Sequence, residues 1–95
     1  MKNFLILHYG FKQPSGEEMS AWNDWFQTVK DIRVDNGGFR GGRKITSSGL
    51  EELPFGEHSI TGYTIIEASD LDAAVEIAKA CPVVDSTCVY EIHRG

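Results

Sequence analysis

Ser59–Pro82 reads SITGYTIIEASDLDAAVEIAKACP, and its reading decides the fold class. Ile60-Thr-Gly-Tyr-Thr-Ile-Ile66 is rich in β-branched and aromatic residues, which strands favour. Ile60 and Ile66 fall on one face and Tyr63 and Ile65 on the other, which predicts a strand buried from both sides. Ser69-Asp-Leu-Asp72 follows as a helix start, with Ser69 the expected N-cap and Asp70 and Asp72 suited to the positive end of the helix dipole. Leu71, Ala74, Val75 and Ala78 then recur on one helical stripe. Pro82 ends the helix and biases Cys81 towards an extended backbone.

Working outward, Phe4-Leu-Ile-Leu-His-Tyr9 is a second strand with apolar groups on both faces, and His8 shares the face of Phe4 and Ile6. Ser15-Gly-Glu-Glu18 is a capping-box pattern. It opens a helix expected over 17–32, on which Met19, Trp22, Phe26 and Val29 recur with Trp25 beside them. Asp35-Asn-Gly-Gly38 reads as a stop and turn, 39–47 as a polar edge strand, and 48–58, with Pro54, as a loop. Thr87-Cys-Val-Tyr-Glu-Ile-His93 alternates as a last strand. The order β-α-β-β-α-β over residues 1–95 predicts a single α+β domain, the ferredoxin-like sandwich with an antiparallel sheet ordered 4-1-3-2.

Helices cover one face of such a sheet, yet two strands here are apolar on both faces. Each large apolar side chain buried is worth roughly 1.5–3 kcal/mol. The expectation is a homodimer whose sheets pack face to face as a dimeric α+β barrel.

The bulk numbers exclude several classes. Ninety-five residues with 41% apolar and 24% charged groups suit one globular domain. A net charge of −5 argues against nucleic acid and anionic membrane as partners. MKNFLILHYG lacks the longer apolar core of a signal peptide, and two cysteines, Cys81 and Cys88, make no disulfide framework, so a cytoplasmic setting is expected.

MKNFLILHYG, EEMSAWNDWF and LPFGEHSITGYTIIEASDLDAAVEIAKACP together resemble the YCII-related superfamily, in the branch named for its DGPF motif. Leu53-Pro-Phe-Gly-Glu57 stands where that motif would be, with Pro54-Phe55 in common. The resemblance implies a ferredoxin-like fold, a dimeric barrel and, mostly, no assigned activity. One type in the superfamily is a proposed dehydrochlorinase of chlorinated hydroquinones, with a His in the first helix and an Asp before the proline that ends the second. Here the first helix has no His and Cys81 precedes Pro82, so that pair is not carried over.

The split topology brings His8, Ser15, Glu18, His58, Cys81, Asp85 and Cys88 towards one edge of the sheet. An imidazole beside a carboxylate can act as a general base. His8, oriented by Asp85 or Glu18, is therefore the candidate acid–base group, against a partly buried strand histidine satisfied by its neighbours. Glu18, His58 and Tyr63 are candidate ligand contacts, and Arg40 and Arg43 could clamp a carboxylate or phosphate. Cys81, at the negative end of a helix, is a packed residue rather than a nucleophile. No metal-ligand spacing or cofactor motif stands out: Gly37-Gly-Phe-Arg-Gly-Gly42 lacks a phosphate-loop pattern. The leading expectation is binding of a small organic molecule between sheet and helices. The alternatives are an enzyme of lyase, dehydrochlorinase or oxygenase type using His8, and a non-enzymatic interaction protein.

Overall fold

The computed structural model describes residues 1–94. Its elements are β1 (Lys2–Tyr9), α1 (Gly16–Thr28), β2 (Arg33–Gly38), β3 (Gly42–Thr46), β4 (Gly49–Leu53), β5 (Ile60–Ala68), α2 (Leu71–Lys79) and β6 (Ser86–Glu91). A four-stranded sheet runs β2-β5-β1-β6, every neighbouring pair antiparallel, and β3 and β4 form a separate two-stranded hairpin.

The core follows from the alternation of β1 and β5. Phe4, Ile6, Thr64 and Ile66 are fully buried on the face that carries the helices. Ala74 and Ala78 of α2 are small enough to bring that helix close to the sheet, and Trp25 of α1 and Val29, its C-cap, complete the layer. The Trp25 indole N–H donates to the Ile77 carbonyl at 3.0 Å, tying α1 to α2. Leu5, Leu7, Tyr9, Tyr63 and Ile65, on the opposite face, are only half-buried.

Four expectations need correction. The sheet's edge strand is 33–38, the segment read as a turn, and not 39–47. RVDNGG has weak strand propensity, and it is held by backbone pairing to β5, with Gly37 opposite Tyr63. Gly37 is needed there: a Cβ would lie 2.7 Å from the Tyr63 ring. Helix α1 consequently ends at Thr28, before Ile32. Within 39–58, the chain forms a hairpin standing off the sheet; its turn is set by Gly49 at φ +141° and by the Thr46 hydroxyl donating to the Gly49 carbonyl. Finally, Asp70 rather than Ser69 caps α2, accepting from the Ala73 N–H at 2.8 Å.

Gly10 organises the end of β1. It sits at φ +99°, and a Cβ there would meet the Asp85 Cβ at 2.7 Å and the Glu57 carbonyl oxygen at 2.9 Å. Its N–H donates to Ser59, its carbonyl accepts from the Thr61 hydroxyl, and the neighbouring Tyr9 carbonyl accepts from the Asp85 N–H. The starts of β5 and β6 are thereby clasped to one point. Gly10→Ala combines an unfavourable backbone region with overpacking, so we expect a loss of about 2–4 kcal/mol in urea unfolding. Gly16→Ala, with open space around its position, should change stability little.

Candidate functional site

A cleft of about 460 Å³ opens between α1 and the sheet. Strand alternation places His8 in it, on the helix-bearing face beyond Phe4 and Ile6. Gly62 lies opposite His8 in the ladder, and a Cβ there would meet the Gly37 carbonyl oxygen of β2 at 3.0 Å. One wall is aromatic: Trp22 stacks on Phe26 with centroids 5.8 Å apart, and Phe39 and Phe55 also line the space. Glu18, Asn23, Asn36 and the basic Lys12 and Arg40 add polar groups around it. Glu18 is ion-paired with Lys12 at 3.5 Å, and its N–H donates to the capping Ser15 hydroxyl.

The His8 Nε2 lies 3.0 Å from the Thr64 hydroxyl, whose residue is fully buried. Neither Asp85 nor Glu18 orients the ring, contrary to expectation. The Nδ1 is shut off from solvent and has no hydrogen-bond partner among the described residues. Trp22 and Trp25 stand edge-to-face to the imidazole at 5.2 and 5.9 Å. Burial lowers the His8 pKa from 6.5 to about 4, so the ring is neutral at pH 7. A neutral imidazole with one nitrogen held and the other enclosed is a polar anchor in an aromatic wall, and a poor fit to the general base expected of it.

The remaining candidates divide. Asp85 is paired with His58: the imidazole Nδ1 and the carboxylate Oδ1 are 3.1 Å apart, and Ser86 donates to the other oxygen at 3.4 Å. Tyr63 donates its hydroxyl to Asp35 across Gly37 at 2.8 Å, an interaction that raises its pKa. Its ring also stacks on Phe39. Arg40 lines the α1 cleft and a second cavity, described below. Arg43 is on the lining of neither: it lies on the hairpin, ion-paired with Glu52 at 3.0 Å. Cys81 is buried, which pushes its thiol pKa up and fits a packed residue. Among the described residues, no three His, Cys, Asp or Glu side chains gather as metal ligands, and no helix is long and apolar enough to cross a membrane.

Sequence reasoning missed the pairing of His58 with Asp85. Its signal was Gly10, whose demand for a bare backbone shows only when the strands are assembled. Asn23 and Asn36 were missed too, since exposed asparagines carry no pattern.

The fold has a known counterpart. The chain is similar to a solved structure of 5-chloro-2-hydroxyhydroquinone dehydrochlorinase from Burkholderia phenoliruptrix AC1100 in complex with 2,5-dihydroxybenzoquinone. The TM-score is 0.58 at 17% identity, over 98% of this chain and 95% of that one. At that identity the likeness is one of fold. No protein-family model matches the chain, and no curated protein does.

The depressed His8 pKa has a signed consequence. Between pH 6.5 and about 4 the unfolded chain binds a proton at His8 that the folded chain refuses. The His8 contribution to stability is therefore unchanged above pH 6.5, falls as pH drops through this window and levels off below it. Urea unfolding at pH 7, 5.5 and 4 should show His8→Phe/Thr64→Val losing less stability on acidification than the parent. The double substitution removes both hydrogen-bonding partners together, so at pH 7 it should be close to neutral, whereas His8→Phe alone strands the Thr64 hydroxyl and should cost about 1–3 kcal/mol.

Proposed function

We propose that the protein binds a small, planar organic molecule in the cleft between α1 and the sheet. The observation that carries this reading is the aromatic wall of Trp22, Phe26, Phe39 and Phe55 with the uncharged His8 ring set into it. Rings of this kind hold a flat, apolar body by stacking and burial, while a few polar groups select its substituents. Asn23, Asn36 and Arg40 are the groups available for ring oxygens. The chain is read as a distant relative of the YCII-related proteins, with its own residues in the cleft.

A homodimer belongs to the same reading. Leu5, Leu7, Tyr63 and Ile65 form a half-buried apolar face that no helix covers, and Tyr90 beside them is 55% exposed. The β3–β4 hairpin is a second support. An isolated two-stranded ribbon is marginal in water, yet among the described residues this one packs on no other element, and it carries Ile45 and Leu50 at 81% and 70% exposure. A second copy seated on the open face, embraced by the hairpins, would bury both features and complete a dimeric α+β barrel.

A second reading, an eliminating enzyme, is favoured by the likeness to a dehydrochlorinase. It would use the same cleft with His8 as its acid–base group, and the neutral, enclosed state of that ring weighs against it.

Two measurements test the proposal. Titration with 2,5-dihydroxybenzoquinone should quench tryptophan fluorescence saturably, and Trp22→Ala or Phe26→Ala should raise the Kd at least about tenfold, the equivalent of about 1.4 kcal/mol. An unchanged Kd in both variants would remove the cleft from consideration. Light scattering should give about twice the 10.6 kDa chain mass. Leu7→Asp should give a monomer, and a monomeric parent protein would overturn the dimer.

A further inference from the structure

A cavity larger than the α1 cleft lies elsewhere. About 700 Å³ in volume, it is bounded by Tyr9 at the end of β1, Ile60 at the start of β5 and the root of the hairpin at Phe39, Arg40, Leu53 and Pro54. His58 stands at its rim, held by Asp85. We propose that His58 and Asp85 form a general-base site that takes a proton from a small planar carbon acid bound in this cavity, the resulting negative charge settling on a substrate oxygen beside Arg40.

The geometry carries each part. A carboxylate oxygen only accepts, so in the 3.1 Å contact with Asp85 the His58 Nδ1–H donates, and in the neutral ring this leaves the Nε2 lone pair open. The ring is 80% exposed, so Nε2 is accessible to a bound molecule. Asp85 is itself anchored: its N–H donates to Tyr9, its second carboxylate oxygen accepts from Ser86, and its Cβ rests where Gly10 lacks one. His58 is thus oriented by a group whose backbone belongs to the sheet. The cavity wall formed by Tyr9, Phe39, Leu53, Pro54 and Ile60 is apolar and suits a flat hydrocarbon body. Arg40 makes no ion pair among the described residues and lines the same wall, available to an oxyanion. This site shares Phe39 and Arg40 with the α1 cleft but uses neither His8 nor Trp22, so binding in the cleft and chemistry at the dyad can fail separately.

The probe is 5-nitrobenzisoxazole, whose ring-opening needs only a base. His58 Nε2 takes the proton from C3, the C–H electron pair becomes part of a nitrile, and the N–O bond breaks with its electrons on oxygen. The product is 2-cyano-4-nitrophenolate, followed by its absorbance, and the proton passes from His58 to solvent. We expect saturable turnover by the intact protein, faster than free imidazole at equal concentration. His58→Ala should lower kcat/KM about 10²-fold, the usual worth of a positioned base. Asp85 is a positioning residue, so Asp85→Asn should lower kcat about tenfold with KM unchanged. His93→Gln, at an exposed position beyond β6, should leave the rate as it was. Turnover no faster than free imidazole, or full turnover in His58→Ala, would overturn the proposal. A fall in Asp85→Asn confined to KM would reject the positioning role and with it the dyad.

Discussion

The antiparallel ladder between β1 and β5 is the constraint on which the rest depends. Its register sets Phe4 against Ile66 and Ile6 against Thr64, all four fully buried beneath the helices. Side chains alternate with a period of two, so fixing these four fixes the facing of the other residues as far as His8 and Gly62, beyond which the register shifts. His8 must then enter the cleft, and Leu5, Leu7, Tyr63 and Ile65 must face away from the helices. A slip of one residue would move Phe4 and Ile6 to the open face and His8 away from Thr64. The polar anchor in the cleft and the uncovered apolar face are two consequences of one register.

The second control point is the end of that ladder. Gly10 turns the chain at a positive φ and lets two other backbones come within contact distance. Loops around 57–59 and 84–85, far apart in sequence, are fastened there by backbone hydrogen bonds. The separation of the two histidines follows. His8, inside the sheet's packed face, loses its charge to burial, while His58, outside it, gains a carboxylate partner. The carboxylate that sequence spacing offered to His8 serves the other imidazole.

The hairpin of β3 and β4 bears on assembly. Cross-strand Arg43–Glu52 pairing and a tight turn define its shape, but exposed ion pairs of this kind contribute little. Its Ile45 and Leu50 are exposed apolar groups that the proposed homodimer would cover. The open face raises the same demand, and the proposed homodimer would cover both surfaces in a single event.

What the sequence by itself determined is local and periodic. Alternation in 4–9 and 60–66, the helical stripes of 19–29 and 74–78, the Ser15 cap and the β-α-β-β-α-β order announced an α+β sheet with helices on one face. The face shared by Phe4, Ile6 and His8 was legible for the same reason. Tertiary structure alone decided the rest. The segment 33–38 became the edge strand because β5 offered unpaired backbone groups and Gly37 could lie beneath Tyr63, neither of which its own residues announce. The hairpin arose in a stretch with weak propensity, from a glycine turn and Thr46. Which carboxylate meets which histidine was settled by Gly10, since hydrogen-bond partners 27 residues apart are chosen by the meeting of backbones and leave no period in the sequence.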